Sequence, residues 1–232
     1  MVFVVAEIGV NWDGDFEIAK SMMENARNAG CNAVKFQSFN EDIIKDHPQK
    51  SRLFKSSISK NNIEIINELA KETGIEWFCT PMTVDAIDLL NPFVKRFKIR
   101  EYDGRELVEN KITDLFENLL KTGKQIMIST EKSPTNCKFF KHPQVQWLYC
   151  VPKYPCNIND LDFKNIKEFH GFSNHCCEIT APLTAAILGA NIIEVHITPD
   201  KSKDFFDNNV SFEYTELSEL VRLIRCFEKI PK

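Results

Sequence analysis

The chain has 232 residues, 43% hydrophobic and 27% charged, enough to bury a full globular core as one α/β barrel or two small domains. Its net charge of −4 lacks the basic excess of a nucleic-acid binder, and its lysines and arginines form no run suited to a membrane surface. No stretch approaches the roughly 18 apolar residues of a membrane span, and the N-terminus MVFVVAEIGVNWDG lacks the features of a signal peptide, so a cytoplasmic location is expected.

In chain order, strand-like runs occur at 3–9, 33–38, 76–81, 96–100, 125–130, 145–151, 171–175 and 192–198. Between them lie amphipathic segments whose apolar residues recur at three and four, predicting helices over 16–30, 62–74, 83–93, 111–123, 162–170, 178–190 and 215–230. The connection EKSPTNCKFFKHP after the fifth strand is too short and broken for a helix. Residues 39–61 form a long polar insertion after the second strand, where a barrel keeps its functional loops. Eight strands alternating with seven or eight helices predict a single (β/α)₈ TIM barrel over 1–232. The open doubly wound sheet is the rival, but EIGVNWDGDF after the first strand does not supply its GxGxxG turn. None of the eight cysteines forms a CxxC pair, and several sit in apolar runs, so all are expected to be reduced. Adjacent Cys176 and Cys177 point to opposite faces if extended, so at most one could join His175 on a metal.

The active site of such a barrel lies at the C-terminal ends of its strands. Those ends carry Glu7, Lys35 with Gln37, Thr80, Lys98 with Arg100, Ser129, Tyr154, Ser173 with His175, and Glu194 with His196. Lys35 and Lys98 are cations in otherwise buried strands, which is costly unless an anion meets them. Pairing with Glu7 or Glu194 alone would satisfy either one; a whole ring of such residues at one mouth points to function. Two imidazoles on neighbouring strands, His175 and His196, suit a divalent cation with open positions that polarises a carbonyl. Nearby lysines suit a phosphate or carboxylate, and Glu7 or Asp207 a base or orienting group. Together these describe a condensation on a small anionic, phosphorylated substrate.

On these residues the sequence resembles the sialic acid synthase family, which condenses phosphoenolpyruvate with N-acetylmannosamine or related amino sugars. The matching stretches are AEIGVNWDGDFEIAKSMMENARNAGCNAVKFQ (6–37), FCTP (78–81), FKI (97–99), KTGKQIMIST (121–130), YCVPKYP (149–155), GFSNH (171–175) and GANIIEVHITPDK (189–201), in order across nearly the whole chain. The resemblance implies that His175 and His196 are ligands of manganese, with magnesium or cobalt as alternatives. It implies Lys35, Thr80, Lys98, Ser129 and Ser173 around phosphoenolpyruvate, Glu7, Gln37 and Asp207 in catalysis, and Tyr154 and Asp103 on the sugar side.

The sequence departs from the family pattern at KIREYD, where KIASGE or KIASGD is usual. Glu101 stands for a phosphate-binding serine, Arg100 for a small residue, Glu131 for a glycine, and Pro152 for an asparagine or serine. Arg100 is expected either to neutralise Glu101 or to grip the phosphate itself. These changes make a metal-dependent aldolase or lyase that does not use phosphoenolpyruvate, or a catalytically altered sugar-binding homologue, the alternatives. The family's C-terminal antifreeze-like domain is expected to be absent, leaving a homodimer or a separate lid protein as possible partners alongside the small-molecule substrates.

Overall fold

The structure, a computed structural model, describes residues 1–231; Lys232, the last residue of the expected domain, lies outside them. The apolar runs form β1 (Phe3–Gly9), β2 (Ala33–Ser38), β3 (Glu76–Pro81), β4 (Arg96–Ile99), β5 (Gln125–Thr130), β6 (Val145–Tyr149), β7 (Gly171–Asn174) and β8 (Ile192–Ile197). All pair in parallel and in sequence order, and β1 also pairs with β8 from Phe3↔Ile192 to Glu7↔His196, which closes the barrel. Strands covered on both faces can be apolar throughout, which is why these runs lack strict alternation. A ninth strand among the described residues, β9 (Ser211–Phe212), extends the sheet beyond β8 at His196↔Ser211. It is too short to leave a periodic signal in the sequence.

Helices α1 (Phe16–Ala29), α2 (Lys50–Leu53), α3 (Ile63–Thr73), α4 (Val84–Leu90), α5 (Glu101–Val108), α6 (Asp114–Lys121), α7 (Thr180–Ile187) and α8 (Tyr214–Phe227) surround the barrel. The Asp15 carboxylate caps α1 by accepting from the amides of Glu17 and Ile18 at 2.8 and 3.2 Å. Gly30 and Gly74 end α1 and α3 in the left-handed conformation that costs glycine nothing. No helix among the described residues is long and apolar enough to cross a membrane, and all eight cysteines are free.

One expectation fails, and a helix forms where none is expected. Residues 162–170 form only a 3₁₀ turn at Ile166–Glu168. The apolar residues Phe163, Ile166 and Phe169 recur at every third position, a spacing that aligns on a three-residue turn rather than an α-helix. The two phenylalanine rings pack on β6 and β7: the Phe163 ring centroid lies 5.2 Å from that of Phe172, and the Phe169 centroid 5.5 Å from that of Tyr149.

The unexpected helix is α5, a stretch that holds a glycine and four charged residues among its eight. Gly104 explains how it docks. A Cβ there would stand 2.1 Å from the Ser129 carbonyl oxygen, so the bare glycine backbone lets α5 lie directly on the end of β5. Gly104→Ala is therefore expected to cost about 1–3 kcal/mol despite alanine's better helix propensity. Calorimetric melting reads this as a drop of roughly 2–4 °C per kcal/mol for a chain of this size; an unchanged or raised melting temperature would refute the close docking.

Candidate active site

The barrel register assembles the polar strand ends. Glu7 aligns with Lys35 on β2 and with His196 on β8, Gln37 with Thr80, and Ser173 with Glu194. Side chains alternate along a strand, so residues aligned across parallel neighbours face the same side of the sheet. The inward-facing set opens into a cavity of about 610 Å³ at the C-terminal ends of the strands.

Its floor is a charge network. Lys35 Nζ lies 3.0 Å from Glu7 Oε1, 3.0 Å from Thr80 Oγ1 and 3.8 Å from Glu194 Oε1. Lys98 Nζ donates to Glu194 Oε1 at 2.6 Å, and Ser173 Oγ donates to the same oxygen at 2.8 Å. All four charged groups are nearly fully buried. Burial works to raise the Glu194 carboxyl, but Lys35 and Lys98 overrule it and hold it at about 2. Burial dominates at Glu7, which stays above its ordinary value despite Lys35. Lys35 is held above its ordinary value because Glu194 and Glu7 outweigh burial, whereas burial keeps Lys98 below its own.

Beside this network, toward the mouth, the wall is aromatic. The His175 and His196 rings stand 5.4 Å apart between centroids, and Tyr154 packs edge-on against both at 4.9 and 5.7 Å. Burial, and then the neighbouring His196, depress His175 to about 3, so its imidazole is neutral. Its Nδ1 lies 3.3 Å from the Val151 carbonyl oxygen, which can only accept, so Nδ1 carries the proton and Nε2 keeps its lone pair. His196 Nδ1 faces Asp207 Oδ2 at 3.4 Å. Asp207 is held low against the effect of burial by His196 and Tyr154. Tyr154 is half-exposed as a residue, yet burial of its phenol and the adjacent Asp207 push its hydroxyl well above the ordinary range.

These residues fit a divalent cation. The His175 and His196 imidazoles stand side by side, and the buried Glu7 Oε2 and Asp207 Oδ2 have no hydrogen-bond partner among the described residues. Both are acceptors that water on a cation would satisfy. No group of three His, Cys, Asp or Glu side chains able to hold a metal occurs among the described residues, so neither Cys176 nor Cys177 completes a protein-only site. Water and substrate would supply the remaining positions, the open arrangement of a catalytic rather than a structural metal.

Every sequence-predicted residue but Asp103 lines the cavity. Asp103 instead accepts from Arg100 Nε at 2.6 Å. Arg100 thus does not neutralise Glu101; that partner is Arg105, one helical turn along α5. Glu131 is exposed and off the cavity wall, whereas Pro152 lies on it. The sequence places Glu194 among the strand ends, two residues before His196 on one strand face, and offers it as a lysine partner, but assigns it no role toward a substrate or metal. It gave no indication of Arg105, nor of the apolar wall that Ile43, Ile44 and Leu53 contribute from the insertion.

A depressed histidine has a sign that can be tested. The unfolded imidazole gains a proton near pH 6.5, while the folded one resists until about 3, so the metal-free protein should lose stability as pH falls through that window. Denaturant titrations across it are expected to give a shallower slope for His175→Asn than for the natural chain. Identical slopes would mean that His175 is not held neutral by the fold.

Residues 22–231 match the NeuB family. An uncharacterized protein of Methanocaldococcus jannaschii is 32% identical over 98% of this chain and 71% of its own length. The N,N'-diacetyllegionaminic acid synthase of Legionella pneumophila is 30% identical over 98% of this chain and 72% of its own length. Among solved structures, the N-acetylneuraminic acid synthetase of Leptospira borgpetersenii, in complex with citrate, is similar with a TM-score of 0.85 and 28% identity, over 98% of this chain and 84% of that one. A match over nearly the whole barrel leads to one conclusion: the chain belongs to the NeuB family.

Proposed function

We propose that the protein condenses phosphoenolpyruvate with an N-acetylmannosamine-type amino sugar to give a nine-carbon sialic-type sugar acid and phosphate, aided by a divalent cation, manganese foremost, at His175 and His196. One observation carries the reading: a single cavity joins a pair of imidazoles to a floor of two buried lysines and their carboxylates, in a family that includes synthases of such acids. A cation bound there would polarise the acceptor's aldehyde.

The chain's own groups handle the rest. Lys35 and Lys98, with the hydroxyls of Thr80, Ser129 and Ser173, hold the donor's phosphate and carboxylate. Gln37 and Tyr154 orient the sugar. C3 of the donor attacks the aldehyde carbon, water adds at C2, and the C2–O bond breaks as phosphate leaves. Glu7, raised by burial, and Asp207, held low beside His196, are placed to take and return protons in these steps.

The test is phosphate release from phosphoenolpyruvate with manganese, magnesium or cobalt and a panel of amino sugars. Release that requires both metal and one sugar, and stops on chelation, is the expected result. Cleavage or formation of a hydroxy-keto acid without phosphate would replace this reading with an aldolase.

A further inference from the structure

Glu101 sets a physical problem. It lines a cavity that the proposed function fills with an anionic donor, and its side chain is only 11% exposed. The structure resolves the conflict through α5. Gly104 seats the helix against Ser129, so Glu101 and Arg105 share a cavity wall with that serine. Arg105 Nη2 donates to Glu101 Oε2, and the guanidinium also lies 5.3 Å from the Tyr102 ring centroid. It is thereby held from two sides. A guanidinium has five N–H donors in a fixed fork, so one bond to a carboxylate leaves others for a second anion. On the same wall the Ser129 hydroxyl, 1% exposed, has no hydrogen-bond partner among the described residues.

We propose that Arg105, held in place by Glu101, and Ser129 form an anion subsite that grips the phosphate or carboxylate of the donor. Glu101 acts as the holder of Arg105. Arg100 lines the same cavity but is tied to Asp103 and lies 5.2 Å from the Tyr102 ring centroid. The subsite is therefore assigned to the Glu101-held Arg105 beside the unpaired Ser129 hydroxyl. Glu131 also acts on Arg105 electrostatically, but stands off the cavity wall. This subsite deepens the proposed function and rests on it for the identity of the anion.

The experiment measures binding of phosphoenolpyruvate, and separately of inorganic phosphate, by titration calorimetry, together with donor KM and kcat. Arg105 is half-exposed, so Arg105→Ala should keep its fold, checked by circular dichroism. Arg105→Ala is expected to weaken donor binding and raise donor KM at least about tenfold, the usual scale of one charge-assisted hydrogen bond. Arg105→Lys keeps the charge without the fork and should recover only part of the loss. The double variant Arg105→Ala with Glu101→Gln separates contact from mere neutralisation. It should remain well below the natural protein, because removing the carboxylate cannot restore the lost donors. Binding unchanged in Arg105→Ala, or fully restored in the double variant, would overturn the subsite, as would failure of the natural protein to bind either anion. Arg105-dependent binding without phosphate release would leave the subsite standing and defeat the proposed reaction.

Discussion

Glu194→Ala should be among the most destabilising single substitutions at this site, costing about 3–5 kcal/mol, the range for removing one partner of a buried ion pair. Glu194 Oε1 receives both the Lys98 ammonium and the Ser173 hydroxyl, with Lys35 close by. Without it Lys35 keeps Glu7, but Lys98 loses its carboxylate partner at 2% exposure. Shedding its proton limits the damage, because burial already holds Lys98 below its ordinary value. The check is chemical denaturation, where the midpoint should fall with little change in slope. Adding Lys98→Met should recover most of the loss, since an apolar side chain of similar length strands no charge. A loss below about 1 kcal/mol would put the pair in the range of solvent-exposed ion pairs, against the buried floor described above.

His196→Ala and His175→Ala should each weaken manganese binding by more than about 100-fold, since altering even an outer partner of a metal ligand costs about 10–100-fold. Asp207→Asn should fall within that smaller range, because Asp207 faces the His196 ring at 3.4 Å and is not itself assigned as a ligand. Titration followed by electron paramagnetic resonance reads free manganese directly and does not depend on turnover. Phosphate release should then fall in parallel with binding for the two histidine variants, and by more than binding for Asp207→Asn, which also loses a proton carrier. Manganese affinity unchanged in both histidine variants would remove the metal from this site. Affinity lost with turnover intact would remove it from the reaction.

The wall that the insertion contributes shows how loop and barrel cooperate. Arg52, in α2, donates from Nε to both Asp13 oxygens at 2.9 Å and from Nη1 to Asp204 at 2.8 Å, and it stacks 4.7 Å from the Phe206 ring. It thereby joins the loops after β1, β2 and β8 around the cavity that Ile44 and Leu53 line. The sequence marks residues 39–61 as a functional insertion but gives no hint of this fastening, because Asp13, Asp204 and Phe206 lie up to 154 positions from Arg52 in the chain.

The sequence by itself determined the barrel and the face on which its chemistry sits. Eight apolar runs separated by amphipathic helices leave few other ways to bury every strand. Polar residues at their C-terminal ends must then converge, so Glu7, Lys35, Lys98, His175 and His196 were legible as one group. What the tertiary structure decided was the pairing within that group and around it. Glu194, not Glu7 alone, neutralises the lysines, because closure of β8 against β1 and β7 places it between them. Asp103 turns away to Arg100, and Arg105 takes Glu101, because a glycine too small to leave a periodic mark allows α5 to settle on β5. Periodicity reports which face of an element is buried; it carries no record of which charged side chain from another element will reach it first. That depends on register and close approach, which exist only once the chain has folded.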